Sequence, residues 1–502
     1  LYEDVTENHD SATETFDLII VGSGSGNSIP DYLSGWRIAI VERGVYGGTC
    51  LNVGCIPSKM FVLPADAALA ARNNDKLNID TQFNGADFGA IRDRVFGRID
   101  SISEGGREYR ATGTPNVTLF EGTARMVGSK SFVVEMNDDS PQRHITAPNV
   151  LLAAGARPVT PPIPGLVETG FHTSDTIMRL AELPQRLGII GGGFIAVEMG
   201  HVFAGLGSKV TLYNRSMGLL RGFDEDIRAR FGEMFGQRVD LKLGHVPTRV
   251  ARTREGIEIT SGGETVVVDE LLVATGRQPN TDLLEVEAGG IACTSRRTVQ
   301  VDDTMATNVE GVWAIGDIAN TWQLKHLANA EATVAFWNIA HPDDIRHQSY
   351  KAVPGAVFSN PQVATVGLTE AEARAQGLPI SVGRRDYAGT AYGWAIVDET
   401  SFAKVIVNTE TGLFVGAHIL GPQAATLIQP IIQAMEFDQL AADVAGKVFY
   451  IHPALTEVVE NAILDALTPA EGHDEDDQVV EPASERDVDP APAPAAQEPA
   501  SS

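Results

Sequence analysis

"FDLIIVGSGSGN", Phe16 to Asn27, runs a short apolar, β-branched segment straight into a glycine-rich turn. "IAIVERG", Ile38 to Gly44, then reads as a second buried strand that closes on Glu42. Strand, glycine-rich turn, helix, strand and acid make up the first half of a dinucleotide-binding unit. Gly22 permits the tight turn, and Gly24 lets the backbone approach a pyrophosphate at a helix N-terminus. Asn27 stands where a third glycine is usual, with Gly26 beside it to loosen the same packing. Glu42, twenty residues after Gly22, is placed to accept ribose hydroxyls. A glycine turn with no ligand remains the plainer reading of the motif alone.

The plan recurs. "LGIIGGGFIAVEMGHVFAGLGSKVTLYNRS", Leu187 to Ser216, repeats it about 170 residues later, with Gly191 and Gly193 in the turn. At the acid position stands Asn214, followed by Arg215 and then Arg221. An acid there repels a 2′-phosphate, whereas arginine grips one bidentately, so the pattern favours NADPH over NADH. Two solvated surface arginines are the alternative. Even the exits echo one another, as "VLLAAGARPVTPP" from Val150 and "LLVATGRQPN" from Leu271. From about Val353 the texture changes to alternating segments such as "FAKVIVN" and "LFVGAHIL", which predict an antiparallel sheet with helices.

Between the turns, "YGGTCLNVGCIPSKM" holds Cys50 and Cys55, two of only three cysteines in 502 residues. Zinc needs more ligands than this, and Cys293 is distant. Inert buried thiols are a second reading. Gly47, Gly48 and Gly54 instead let the segment lie against a flat ligand, with Gly48 and Thr49 as expected cofactor contacts. A helix start there would favour a thiolate, so a reversible disulfide fits best. A dithiol cannot take a hydride from NADPH directly, whereas a flavin converts hydride into thiol chemistry. FAD is therefore expected in the first unit and NADPH in the second, with Gly316 and Asp317 in "GVWAIGDIA" as further flavin contacts. Near the end, His452-Pro453 with Glu457 five residues on suits proton transfer to a departing thiolate, the carboxylate fixing the imidazole tautomer.

Composition is that of a globular chain with a net charge of -28, and no basic stripe points to nucleic acid. Residues 1–15 contribute -5 and residues 469–502 contribute -9, leaving -14 for the body. The Pro-, Ala- and acid-rich tail is expected to be disordered. With no run of 18 apolar residues and no signal-peptide pattern, neither a membrane partner nor a metal is expected, and the cytoplasm is the expected location.

Together these residues resemble the flavin disulfide reductases, the group that includes glutathione reductase and dihydrolipoamide dehydrogenase. The likeness spans about Phe16 to Leu467, and "GGTCLNVGCIPSK" and "HPALTE" are its most specific parts. Segments such as "QLKHLANAEA" and "AYGWAIVDE" are similar to a branch acting on a low-molecular-weight disulfide. The resemblance implies an α/β architecture of two Rossmann-like domains, for FAD and NADPH, plus a C-terminal α+β dimerisation domain. The expected divisions are an acidic extension (1–15), FAD domain (16–157), NADPH domain (158–280), central segment completing the FAD site (281–352), interface domain (353–467) and acidic tail (468–502). It further implies that Cys50 attacks the substrate disulfide while Cys55 lies nearer the flavin and holds the charge-transfer thiolate. Lys59 would pair with Glu198 near the flavin, and Phe194 would shield the nicotinamide. His452 and Glu457 would serve the dithiol of the other subunit of a homodimer. A dihydrolipoamide dehydrogenase is the alternative, although it would prefer NAD and an acid near Asn214.

Overall fold

The computed structural model describes residues 13–468. The acidic N-terminal stretch up to residue 12 and the tail from residue 469, read above as disordered, lie outside them.

The strand Leu18–Val21 is buried on both faces, as its unbroken apolar run requires in a parallel sheet. Leu18 and Ile20 pack toward the helix Lys325–Ala340, while Ile19 and Val21 join a second cluster with Phe132 and Val134. Its parallel neighbours are Ile38–Glu42 and Asn149–Leu152, extended by Val117–Gly128 on one side and Val312–Ala314 on the other. An antiparallel wing of Ser131–Met136 and Arg143–Thr146 completes this eight-stranded sheet. Its edge is Glu14–Thr15, paired with Ile145 and Thr146, so the last residues of the expected acidic extension belong to the sheet.

The second unit is a four-stranded parallel sheet in the order Asp240–Leu243, Lys209–Asn214, Arg186–Ile190, Glu270–Val273. The two glycine turns match bond for bond. Gly22 N–H donates to Val41 and Gly191 N–H to Tyr213, while Ala153 N–H donates to Val21 and Ala274 N–H to Ile190. Both glycines have positive φ, +104° and +137°, and a Cβ on either would lie 2.4 or 2.2 Å from the carbonyl oxygen of Ala153 or Ala274. Only glycine fits these positions. The echoing exits meet each other, with Arg277–Pro279 pairing antiparallel to Ala156–Pro158.

One expectation is corrected. The second turn opens a 13-residue helix, Phe194–Leu206, but the first is followed only by 3-10 turns, Ser25–Asn27 and Asp31–Leu33. Pro30 removes a donor and drives its predecessor out of the helical region, in a connection (residues 22–37) that also carries four glycines and an asparagine. Asn27 is held instead by side chains: its Oδ1 accepts from Tyr46 Oη at 2.6 Å and Arg110 Nε at 2.8 Å. No long helix thus begins at the first turn.

The C-terminal region is a five-stranded antiparallel sheet that includes Phe402–Asn408 and Phe414–Leu420, the alternating segments. The helix Thr456–Leu467 packs on it so closely that a Cβ at Gly383 would lie 2.0 Å from the Ala462 carbonyl oxygen.

Candidate active site

Cys55 is the first residue of an 18-residue helix, Cys55–Arg72, and Cys50 sits in the short helix Gly48–Asn52 just before it. The stretch Gly48–Arg72, spanning both helices, is apolar enough to cross a membrane by length and composition. Here it packs on Phe194–Leu206 instead, where a Cβ at Gly205 would touch Ala65 at 2.8 Å. The same packing brings Lys59 to Glu198. Lys59 Nζ lies 2.7 Å from both carboxylate oxygens, and Glu198 Oε1 also accepts the Phe358 N–H at 2.9 Å. Lys59 stands 4.4 Å from the Phe358 ring centroid, so the ammonium is held by charge and by an aromatic face.

Both thiols of the pair are free and hydrogen-bonded to each other. The Cys50 thiol is lowered to about 7, first by the hydrogen bond from Cys55, against burial, and then by the charges of Lys325 and Lys59. Cys55 is pushed up by the same hydrogen bond and by burial. A lowered thiol at Cys50 suits the attacking role that the resemblance implies for it. The sign is simple, since a lowered pKa populates the nucleophile at lower pH. Alkylation of Cys50 in the reduced protein is expected to rise through a midpoint near pH 7, measured by mass spectrometry with iodoacetamide. A midpoint near that of an ordinary thiol would contradict this assignment.

The thiols open on one large cavity of about 2190 Å³. Gly22, Gly24, Glu42, Gly48 and Thr49 line its first arm. There a Cβ at Gly48 would come within 2.7 Å of the Gly24 Cα, so the two backbones form a narrow cradle. Glu42 is fixed in place: Oε2 accepts Ser23 N–H and Oγ–H at 2.9 and 2.7 Å, and Oε1 accepts Gly44 N–H at 2.8 Å. Each oxygen keeps capacity for another donor, as a ribose requires. Gly316 and Asp317 form a 3-10 turn on the opposite wall. Burial pushes the Asp317 carboxyl up, and Arg277, whose buried Nε has no hydrogen-bond partner, lies 4.0 Å from it. A cradle that admits no side chain and an orphaned guanidinium nitrogen both fit a phosphate-bearing flavin nucleotide.

The other arm reaches Phe194, Glu198 and the turn Gly222-Phe223. Phe194 is 40% exposed at the start of its helix, suited to cover a planar ring. A Cβ at Gly193 would meet nothing within 4 Å, leaving room before the helix N-terminus. Asn214 is buried and turned inward, its Nδ2 donating to the carbonyls of Ser216 and Gly218. Arg215 and Arg221 are exposed and have no hydrogen-bond or ion-pair partner among the described residues. Unpaired arginines beyond a glycine turn fit a coenzyme phosphate.

The structure does not bring His452 and Glu457 to this cavity. Glu457 Oε1 lies 2.8 Å from His452 Nδ1, and Glu457 Oε2 accepts the Ala454 N–H at 3.2 Å. A carboxylate partner puts the ring proton on Nδ1 and leaves Nε2 outward-facing. The imidazole is 72% exposed and flanked by Phe449, which is fully exposed, and Ile451.

Sequence reasoning missed Lys325. It begins the helix Lys325–Ala340, donates to Ser25 Oγ at 2.9 Å, and sends its charge toward Cys50 from a position 275 residues away in the chain. One lysine in "QLKHLANAEA" carries no local signal of that proximity. Arg277 and Ser23 were missed for the same reason.

Two glycine turns, and one cavity that joins the first of them and a dithiol to the helix opened by the second, define a flavin-dependent disulfide oxidoreductase. The chain belongs to the pyridine nucleotide-disulphide oxidoreductase family, whose model matches residues 16–332, with the family's dimerisation domain over residues 353–463. It is 43% identical to mycothione reductase of Mycobacterium tuberculosis over 458 residues, 90% of this chain and 99% of that one. It is also 32% identical to dihydrolipoyl dehydrogenase of Chlamydia muridarum, over 91% of this chain and 98% of the relative. Among solved structures it is similar to the HOCl-induced flavoprotein disulfide reductase RclA of Escherichia coli, in its Cu(II) complex. That likeness has a TM-score of 0.80 and 28% identity, covering 90% of this chain and 99% of that one. Family membership carries FAD and NAD(P)H as cofactors, and the dimerisation domain supports a homodimer.

Proposed function

We propose that this protein reduces mycothione, the disulfide of mycothiol, to two thiols at the expense of NADPH. The observation that carries the substrate is the 43% identity to a mycothione reductase along nearly the whole of both chains, against 32% for a dihydrolipoyl dehydrogenase. Unpaired Arg215 and Arg221, with Asn214 in place of an acid, support NADPH as the hydride donor.

Bound FAD supplies the conversion of a nicotinamide hydride into two electrons for a disulfide. The Gly22–Gly24 turn, Gly48, Glu42 and Asp317 would hold it, and the chain's own residues do the rest. Lys59, fixed by Glu198, presents a positive charge beside the dithiol. The Cys50 thiolate attacks one sulfur of the substrate, forming a mixed disulfide and expelling the first thiolate. His452 of the partner subunit protonates that leaving group, its charge held by Glu457 of the partner subunit. Neutral again, the imidazole accepts the Cys55 proton, and Cys55 attacks Cys50. The internal disulfide re-forms and the second thiol leaves. Exposed Phe449 and Ile451 beside His452 support an active site completed across the homodimer, since exposed apolar groups of this size call for a covering surface.

The test is NADPH oxidation by the purified holoenzyme with mycothione, glutathione disulfide and lipoamide in parallel. Turnover with mycothione and little with the others is expected. Turnover confined to lipoamide would replace the proposed substrate with that of a dihydrolipoyl dehydrogenase.

A further inference from the structure

Lys404 is the most enclosed cation of the C-terminal sheet, with only 4% of its side chain exposed. Its Nζ lies 2.9 Å from Asp224, 2.6 Å from Asp226 and 2.7 Å from Glu370. Asp224 and Asp226 belong to the start of the helix Glu225–Gly236, for which Asp224 is the capping residue. Glu370 opens the helix Glu370–Ala375, and its N–H donates to the second Asp224 oxygen at 3.1 Å. Next to this cluster, buried His418 is satisfied by Thr365 and the Leu368 carbonyl. One cation thus ties the C-terminal sheet to the beginning of a helix in the second nucleotide-binding unit.

The segment ending at that helix carries Arg215 and Arg221. It is pinned along its length. Leu219 and Leu220 are buried, and Leu220 N–H donates to the carbonyl of Gly192 in the second glycine turn at 2.8 Å. Leu220 has φ +52°, a left-handed conformation that a leucine keeps only where its surroundings impose it. Arg228 Nε, one helical turn after Asp224, holds the Leu219 carbonyl at 3.1 Å. Only Gly222 and Phe223 separate Arg221 from Asp224, and both border the cavity.

We propose that Lys404 is a positioning residue for coenzyme selection. By clamping Asp224, it fixes the C-terminal anchor of the loop and so holds Arg221 and Arg215 where a nucleotide 2′-phosphate is gripped. The inference rests on the NADPH reading of those two arginines. Without the lysine, Asp224 becomes a buried anion beside two more carboxylates, and the helix start that anchors the loop must move to reach water.

The test titrates the oxidised holoenzyme with NADP⁺ and with NAD⁺ by calorimetry. Lys404→Met is expected to weaken NADP⁺ roughly tenfold, the scale of one charge-assisted contact, while NAD⁺ changes less than about twofold. Asp224→Asn, which can still cap the helix, is expected to shift the same ratio in the same direction; it carries the test if Lys404→Met does not fold. An Arg215→Ala/Arg221→Ala double variant separates the two layers. If wild type and the double variant show no preference for NADP⁺ to lose, the coenzyme reading fails and the proposal with it. If the double variant loses the preference but Lys404→Met and Asp224→Asn weaken both ligands alike, or neither, the role of Lys404 is overturned and the coenzyme reading stands.

Discussion

Cys50→Ser reduces mycothione-dependent NADPH oxidation to background, while FAD stays bound and NADPH still bleaches it. A serine oxygen is far less nucleophilic at neutral pH than a thiolate whose pKa is lowered to about 7, and it cannot form the mixed disulfide at all. The substitution is otherwise small. Cys50 lies in the five-residue helix that Gly48 opens, but a serine there adds no bulk to the cradle of Gly24 and Gly48, so flavin retention is the built-in control. The check is steady-state turnover beside the flavin absorbance of the desalted protein. Loss of the flavin, or retained turnover, would count against the role given to Cys50.

His452→Ala slows the disulfide half-reaction by about 10²–10⁴-fold, the range for a lost general acid–base group. Reduction of the flavin by NADPH keeps its rate. The split follows from geometry, because the imidazole lies outside the cavity of its own chain and is held only by Glu457 at 2.8 Å. It has nothing to do until a disulfide has been attacked. Stopped-flow absorbance separates the halves: NADPH mixed with oxidised enzyme for the first, mycothione mixed with pre-reduced enzyme for the second. Equal slowing of both would assign His452 a structural role instead.

The repeated glycine turns were legible because the steric demand at Gly22 and Gly191 is local: a strand end, a positive φ and a neighbouring carbonyl leave room for nothing else. The strands Phe402–Asn408 and Phe414–Leu420 were legible as apolar, β-branched segments that pair antiparallel, although the structure buries both faces of each rather than alternating them. The missing helix after the first turn shows where a motif misleads. Pro30 stood in plain view, but the expected order of elements outweighed it, and Asn27 turned out to be held by Tyr46 and Arg110 rather than by helix packing. Contacts across long stretches of chain left no trace in spacing. Lys325 reaching Ser25 and Cys50, and Lys404 reaching Asp224, are products of how whole sheets pack. Lys59 with Glu198 came instead from the family likeness, 139 residues apart in sequence and 2.7 Å apart in space.

The most direct measurement of the central claim, a dithiol that stores the electrons of NADPH, is thiol counting on the anaerobic holoenzyme before and after one equivalent of the coenzyme. Oxidised protein alkylated under denaturing conditions should label Cys293 alone. After NADPH, Cys50 and Cys55 should both become labelled, and mycothione should reverse the change. Labelling of all three cysteines before NADPH and after it, with no response to either reagent, would contradict the account.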